Sequence, residues 1–168
     1  MKRASKKKDS RRLKKSEPTP ATKGRILEVG DDEGIRELIA AICKNRGFDV
    51  VQARYGDEAL KLYRKRGPFV LVLSDLYYYD CVPEPPVSHT KVIRHGIQLA
   101  LAIRKLAPAQ KIVIHTAASR VREQMPKELG DISILKKPFS WKELEALLPL
   151  TGVSTSLRRL FAPTQVST

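Results

Sequence analysis

The chain has 168 residues, a length typical of one domain, and 42% of them are hydrophobic. Its 32 Lys and Arg residues outnumber 18 Asp and Glu residues, giving a net charge of +14. This apolar content excludes a wholly disordered chain. The two cysteines, Cys43 and Cys81, are too few for a disulfide framework or a four-cysteine zinc site. Without an apolar run of about 18 residues or an apolar N-terminal segment, we expect a basic cytoplasmic protein.

Positive charge is concentrated at the N-terminal end. Residues 1–24 contain ten Lys or Arg residues and only two acidic ones. The same segment has two prolines and almost no large apolar side chains, so it cannot bury enough surface to offset the entropy of ordering. We predict a disordered arm. It either contacts nucleic acid or another polyanion, or is a solvated tail, and the absence of interleaved aromatic residues slightly favours the tail.

The central part of the chain, residues 25–150, alternates short apolar runs with amphipathic segments. The apolar runs predict strands at 25–29, 49–53, 69–73, 111–115 and 132–135. Apolar residues at helical spacing predict helices that begin near Ile35, Ala59, Gly96, Ser119 and Trp141. Five strands alternating with five helices predict a doubly wound parallel sheet, with the almost wholly apolar third strand in a central position.

Polar side chains follow four of these strands, at the edge where functional groups collect in such sheets. They are Asp31 and Asp32 after strand one, Asp75 after strand three, Thr116 after strand four and Lys137 after strand five. Clustered carboxylates favour a hard cation such as Mg²⁺, and a carboxylate beside Mg²⁺ can attack phosphorus. A lysine and a hydroxyl would hold the phosphoryl oxygens. Each residue alone is also a common turn former or helix cap, so the hypothesis depends on their coincidence.

Four motifs occur in order on the predicted strands. They are ILEVGDD at 26–32, LVLSD at 71–75, HTA at 115–117 and KKPF at 136–139. The ordered set resembles the receiver domain of two-component response regulators, over Arg25 to Leu148. The resemblance implies a flavodoxin-like α/β fold, with a five-stranded parallel sheet of strand order 2-1-3-4-5 and helices on both faces.

The resemblance also implies roles for individual residues. Asp75 would be the phosphoacceptor, and the Mg²⁺ ligands would be Asp31, Asp32 and Asp75. The phosphoryl contact and switch would be formed by Lys137, Thr116 and Ala117. Pro138 would follow a cis peptide bond. A histidine kinase or phosphotransfer protein would be the phosphoryl donor. The helix predicted at 119–129, the fifth strand and the last helix would form a surface for a downstream protein. Such a domain is not an enzyme in the usual sense.

Three positions depart from the family's pattern. Gly30 stands where the family has the first of two acids, and Asp31 stands at the second. We therefore expect weak Mg²⁺ binding, or a shifted turn that lets Asp32 replace the missing acid. Glu28 lies in a strand covered on both faces, so it needs a partner or a proton, unless that position is partly exposed. It shares strand parity with Gly30, which directs it toward the pocket. Ile134 replaces an aromatic residue that often moves with the switch hydroxyl.

The segment 77–95 is about a dozen residues longer than the family's short loop, and such loops are often functional. One interpretation is a partner-binding loop anchored by Tyr77, Tyr78 and Tyr79. Another is that these tyrosines pack on the sheet edge. A metal site made by Cys81, His89 and His95 matches no zinc spacing.

Three functions are compatible with these observations. The first is a single-domain response regulator phosphorylated on Asp75, with residues 151–168 as a C-terminal tail. The second is a phosphorylation-independent module for protein interaction. The third is nucleic-acid contact through residues 1–24, as an accessory activity, because no reader motif follows the domain.

Overall fold

The computed structural model describes residues 22–78, 93 and 95–149. The predicted C-terminal tail and all but the last three residues of the predicted arm lie outside them. Among the described residues, five strands alternate with four α-helices. The strands are β1 (Arg25–Val29), β2 (Asp49–Ala53), β3 (Leu71–Asp75), β4 (Ile112–Thr116) and β5 (Ser133–Lys136). The helices are α1 (Glu33–Asn45), α2 (Gly56–Arg66), α3 (Gly96–Leu106) and α4 (Trp141–Leu147).

The sheet has the strand order β2-β1-β3-β4-β5, and all its neighbours are parallel. This confirms the predicted flavodoxin-like topology. One face of the sheet packs against α2 and α3 through residues such as Leu27, Val72 and Ile114. The opposite face packs against α1 and α4 through residues such as Ile26 and Leu73. Because each face of the sheet has its own core, side chains of the strands are buried on both faces.

Local sequence signals fix the ends of the helices. The Asp32 side chain accepts a hydrogen bond from the Ile35 N–H at 2.9 Å and caps α1. Gly47 follows that helix with a φ of 87°, a conformation that favours glycine. Ser140 and Glu143 form the predicted capping box at the start of α4.

The helix predicted at 119–129 is wrong. The structure instead has two short 3₁₀-helices in this segment, Val121–Gln124 and Lys127–Leu129. Pro126 lies between them and disfavours helical geometry at Met125, which is extended with a ψ of 126°. Val121 and Leu129 are nevertheless buried. The apolar residues whose spacing predicted one helix therefore pack into the core from two separate turns. The chain between β4 and β5 therefore has no α-helix.

A close backbone approach holds the start of α3 against the end of β3. The Gly96 N–H donates to the Leu76 carbonyl at 2.8 Å. A Cβ added at Gly96 would lie 2.3 Å from the Asp75 carbonyl oxygen, a distance that forces the backbone to move. Only glycine allows α3 to begin directly beside Asp75.

We expect Gly96→Ala to lower the free energy of unfolding by about 1–3 kcal/mol, because the methyl group displaces the end of β3. Urea denaturation measures this change. Gly34→Ala is the matched control, since a Cβ there meets only an Asp32 side-chain oxygen, at 3.4 Å. Equal losses in the two variants would contradict the close approach.

Candidate functional site

The carboxyl ends of the strands border a pocket of about 670 Å³. Its lining residues are Asp31, Asp32, Asp75, Tyr77, Thr116, Ala117, Ala118 and Lys137. The structure thus brings together all five residues that were singled out at strand ends. The β3–β4 register pairs Asp75 with His115, and the β4–β5 register pairs Thr116 with Lys136. Parallel pairing therefore aligns the ends of three strands at one edge.

Asp75 is held by two donors. Its Oδ1 accepts from the Leu76 N–H at 2.7 Å, and its Oδ2 forms an ion pair with the Lys137 ammonium. The Lys137 N–H donates to the Thr116 carbonyl at 2.8 Å, which fixes the lysine beside the end of β4. The Lys137–Pro138 peptide bond is cis, and Pro138 is exposed. A carboxylate and an ammonium therefore meet at the base of the pocket.

Thr116 is buried at the end of β4, so it lies on one side of Asp75 and β1 lies on the other. Its Oγ1 accepts from the Ala118 N–H at 3.1 Å and so holds the turn after β4. A hydroxyl that accepts a hydrogen bond still has its own hydrogen to donate. Ala117 is exposed at the pocket wall. Thr116 can therefore serve a phosphoryl oxygen while remaining attached to this turn.

Asp31 and Asp32 have different environments. Asp31 is half-buried, and its Oδ1 accepts from the Asp32 N–H at 3.2 Å. Asp32 is exposed at the rim, where its Oδ1 caps α1. The cap gives Asp32 a structural role that is independent of any cation.

The carboxylates of this pocket suit a cation that needs few protein ligands. Within the described ranges, no group of three or more His, Cys, Asp or Glu side chains is arranged to hold a metal. Asp31 and Asp75 nevertheless line one pocket with carboxylate oxygens. Because Mg²⁺ commonly takes one or two carboxylates and keeps several waters, these two residues fit it.

Glu28 is completely buried below this pocket, so the alternative of a partly exposed strand position is wrong. Neither carboxyl oxygen makes a hydrogen bond of normal geometry to a described residue. Burial raises the pKa of Glu28 to about 8, and Gln52 and Arg36 nearby offset that rise only in part. Glu28 is therefore largely neutral at neutral pH, as expected for a buried carboxyl without an ionic partner.

His115 also lies at this site, although the sequence analysis gave it a place in the fourth strand and in the HTA motif but no role. It is 1% exposed, and its Nδ1 lies 3.9 Å from Asp75 Oδ2. Burial, and then the charge of Lys137, lower its pKa to about 3, so the ring is neutral. The ring packs edge-on against Phe139. Its place directly before Thr116 was the available sequence signal, because adjacent parallel strands end together.

The tyrosines of the long segment differ in their environments. Tyr78 is 5% exposed, and its hydroxyl lies 2.6 Å from Ser74 Oγ, so it packs inside the domain and is not an exposed anchor. Tyr77 is exposed and lines the pocket, and its backbone forms a single antiparallel β-bridge with that of His95. Tyr79, Cys81 and His89 lie outside the described residues.

Comparisons by sequence find transcriptional regulators and a protein named "Putative response regulator NtrX-like". No protein-family model matches the chain. The "Probable transcriptional regulator ycf27" of Porphyridium aerugineum is 30% identical over 125 residues, which cover 74% of this chain and 46% of that protein. The transcriptional regulatory protein DltR of Streptococcus agalactiae is 29% identical over 136 residues, which cover 80% and 54%. The chain thus spans about half the length of these curated relatives.

Comparisons by structure find proteins of the CheY-like fold. The chemotaxis protein CheY4 of Vibrio cholerae matches with a TM-score of 0.58 and 24% identity, over 83% of this chain and 99% of that one. A CheY-like receiver domain protein from Methanospirillum hungatei matches with a TM-score of 0.59 and 25% identity, over 73% and 88%. The fold and the Asp–Lys pocket define a CheY-like α/β domain. Its structural neighbours are CheY-like receiver domains and response regulators, so this domain has the CheY-like receiver fold and is similar to response regulators.

The buried proton on Glu28 predicts a pH dependence of stability. The folded state keeps this proton up to a pKa of about 8, whereas the unfolded state releases it near 4.5, so stability falls as the pH rises between these values. Glu28→Gln removes this loss. Relative to wild type, the variant should gain at least about 1.4 kcal/mol between about pH 5 and about pH 8, the equivalent of a single pKa unit.

Urea denaturation with a chelator present measures this gain. Glu37→Gln, which removes an exposed carboxylate from α1, is the control and should show no such change with pH. Parallel pH profiles for wild type and Glu28→Gln would contradict a neutral Glu28.

Proposed function

We propose that this domain accepts a phosphoryl group on Asp75 from a phosphohistidine of a histidine kinase or phosphotransfer protein. The observation that supports this most directly is the Asp75–Lys137 ion pair in a pocket shared with Asp31 and Thr116. The pocket combines a nucleophilic carboxylate with positive charge and a hydroxyl donor, which is what phosphoryl transfer needs.

The chemistry follows from the donors around Asp75. An Asp75 carboxylate oxygen forms a bond to phosphorus as the phosphorus–nitrogen bond of the donor breaks, and the leaving imidazole takes up a proton. Mg²⁺ held by Asp31 and Asp75 would offset the charge of the phosphoryl oxygens. The Lys137 ammonium and the Thr116 O–H then donate to those oxygens, so Lys137 exchanges Asp75 for the phosphoryl group while Thr116 keeps the hydrogen bond that it accepts from the Ala118 N–H.

Phosphorylation changes the surface near β5. When Thr116 turns toward the phosphoryl group, it pulls on Ala118 and the segment between β4 and β5. Arg122 links that segment to β5 through the Ile132 carbonyl at 2.9 Å. Because this segment contains 3₁₀ turns, the downstream protein binds a surface made of these turns, β5 and α4. This replaces the helix-based surface expected from the sequence.

A second candidate is an interaction module that works without phosphorylation. Gly30 removes one acid from the site, and Ile134 provides no aromatic switch. Asp32 is engaged as a helix cap. These observations favour weak cation binding, and they distinguish this domain from a receiver with a full acidic pair. Nucleic-acid contact through residues 1–24 remains a prediction from charge.

We place the protein in the cytoplasm, where such phosphoryl donors act. No helix in the described part of the chain is long and apolar enough to cross a membrane.

The first test is the intact mass of the full chain after incubation with a small phosphodonor and Mg²⁺. We expect a gain of one phosphoryl group in wild type, and none in Asp75→Asn or with a chelator. Circular dichroism shows whether the variant is folded. A folded wild-type protein that gains no mass would favour the interaction module.

The two adjacent aspartates should respond differently to substitution. Asp31→Asn removes a proposed ligand and should weaken Mg²⁺ binding at least about tenfold. Asp32→Ser keeps a capping oxygen, so its free energy of unfolding should stay close to that of wild type. Its Mg²⁺ affinity should change less than about twofold. Calorimetric titration compares the affinities. Equal losses in the two variants would show that Asp32 is a ligand rather than a cap.

A further inference from the structure

The edge of the sheet opposite the pocket is strongly basic. Because all five strands are parallel, their first residues lie at this edge, together with the last turn of each helix that leads into a strand. Eight exposed cations lie in these helix ends and in the connections to the strands. They are called the basal face, and they are Lys23, Lys44, Arg46, Arg64, Lys65, Arg66, Lys105 and Lys111.

Direct contacts join the segments of the basal face. The Lys23 N–H donates to the Gly47 carbonyl at 2.8 Å, and the Lys23 ammonium lies 6.0 Å from the centre of the Phe48 ring. The Arg25 guanidinium donates to the Arg66 carbonyl at 2.6 Å. The chain segments that lead into β1, β2 and β3 therefore meet here and form one surface.

Seven of the eight cations form no ion pair with an acid in the described part of the chain. The ion pairs at this edge are Arg25–Asp49, Arg46–Glu145 and Arg104–Asp131, so the acids in them are already compensated. The acids Asp31, Asp32 and Asp75 lie at the other edge, where they line the pocket. Charge is thus separated along the strands, with an acidic pocket at one end and a basic surface at the other.

The basal face has more positive charge than helix ends require. A cation in the last turn of a helix stabilises the helix dipole. The α2 helix, however, ends in three consecutive exposed cations at positions 64–66, and Lys23 and Lys111 belong to no helix. Residues 1–21 precede this face in the sequence and carry nine further Lys and Arg residues against two acids. The chain therefore enters the fold at the basal face from a strongly basic segment.

We propose that the basal face binds the phosphate backbone of a DNA duplex, together with the basic residues that precede it in the sequence. Exposed Lys and Arg side chains on one surface suit the regular spacing of phosphates, and such contacts read no base sequence. The proposal goes beyond phosphoryl transfer, because the pocket lies at the opposite edge of the sheet. A bound duplex would leave Asp75 accessible to a phosphoryl donor.

The composition of this region favours DNA over an anionic membrane. Insertion into a bilayer needs a face of large apolar side chains. Residues 1–21 contain only Met1 and Leu13 of this kind, and Leu106 is exposed beside the described cations. Phosphate contacts need only cations, which this region supplies.

Fluorescence anisotropy of a labelled duplex, titrated with the full chain at several NaCl concentrations, tests this proposal. The variant Lys44→Gln, Lys65→Gln, Lys111→Gln removes three exposed cations that have no described ion pair, so the fold is kept. Its affinity for a mixed-sequence duplex of about 20 base pairs should fall at least about tenfold at low salt. The plot of log affinity against log salt should become shallower by about 2–3, since each lost phosphate contact removes about 0.9.

The matched control removes the same charge from the pocket side of the domain. Arg54→Gln, Arg120→Gln, Lys142→Gln also replaces three exposed cations, which follow β2, follow β4 and begin α4. It should keep the salt dependence of wild type to within about one phosphate contact. Circular dichroism verifies that both variants are folded. Equal losses in the two variants would overturn the proposal, because binding would then follow net charge alone.

Three further measurements complete the test. Lys6→Gln, Lys7→Gln, Lys8→Gln lowers the charge of residues 1–21. Loss of binding in this variant, with wild-type affinity in the basal-face variant, would overturn the role of the face. Binding to phosphatidylserine vesicles without binding to the duplex would overturn it too. Asp75→Asn should bind the duplex as wild type does, so a failure of phosphoryl transfer is separate from a failure of this proposal.

Discussion

The ion pair between Asp75 and Lys137 is the interaction on which the pocket depends. It joins residues 62 positions apart, from the ends of β3 and β5, across the intervening strand β4. Only the observed strand order and register bring these two residues together. Both side chains are largely shielded from water, so each charge depends on the other for compensation. In the proposed function, a phosphoryl group on Asp75 would take Lys137 from its present partner, so the pair would respond directly to phosphorylation.

The groups beside this pair are kept neutral by burial. Glu28 and His115 lie on the same face of the sheet as Asp75, and both would be candidates for charge in water. Burial raises the pKa of the first to about 8 and lowers that of the second to about 3. For Glu28, desolvation outweighs the attraction of Arg36 and Lys137, whereas for His115 the charge of Lys137 acts in the same direction as burial. At the floor of the pocket the charge is therefore carried by Asp31, Asp75 and Lys137, so the proposed phosphoryl group would change the local field strongly.

The prediction of the sheet and of the pocket came from the alternation of strands and helices and from where strands end, and the strand order came from the resemblance to receiver domains. The prediction failed at 119–129, because two short 3₁₀ turns bury Val121 and Leu129 as well as an α-helix would. Pro126 favours the turns, since proline disrupts an α-helix at this point. Tyr78 could not be assigned either. Its buried hydroxyl depends on Ser74, whose orientation is known only once β3 is placed.

Glu28 and Gly30 show that an acid close to a site does not by itself bring charge to it. Side chains two residues apart on a strand share one face, and their Cα atoms are only about 6.6 Å apart. A glutamate, which is longer than an aspartate, can span much of that distance. Its carboxyl can then border a space that belongs to another position in the sequence, as Glu28 does at Gly30. Burial nevertheless raises the pKa of this carboxyl to about 8, so Glu28 stays largely neutral at neutral pH and does not restore the charge of an acid at position 30. The acidic charge of the pocket therefore rests on the aspartates that line it.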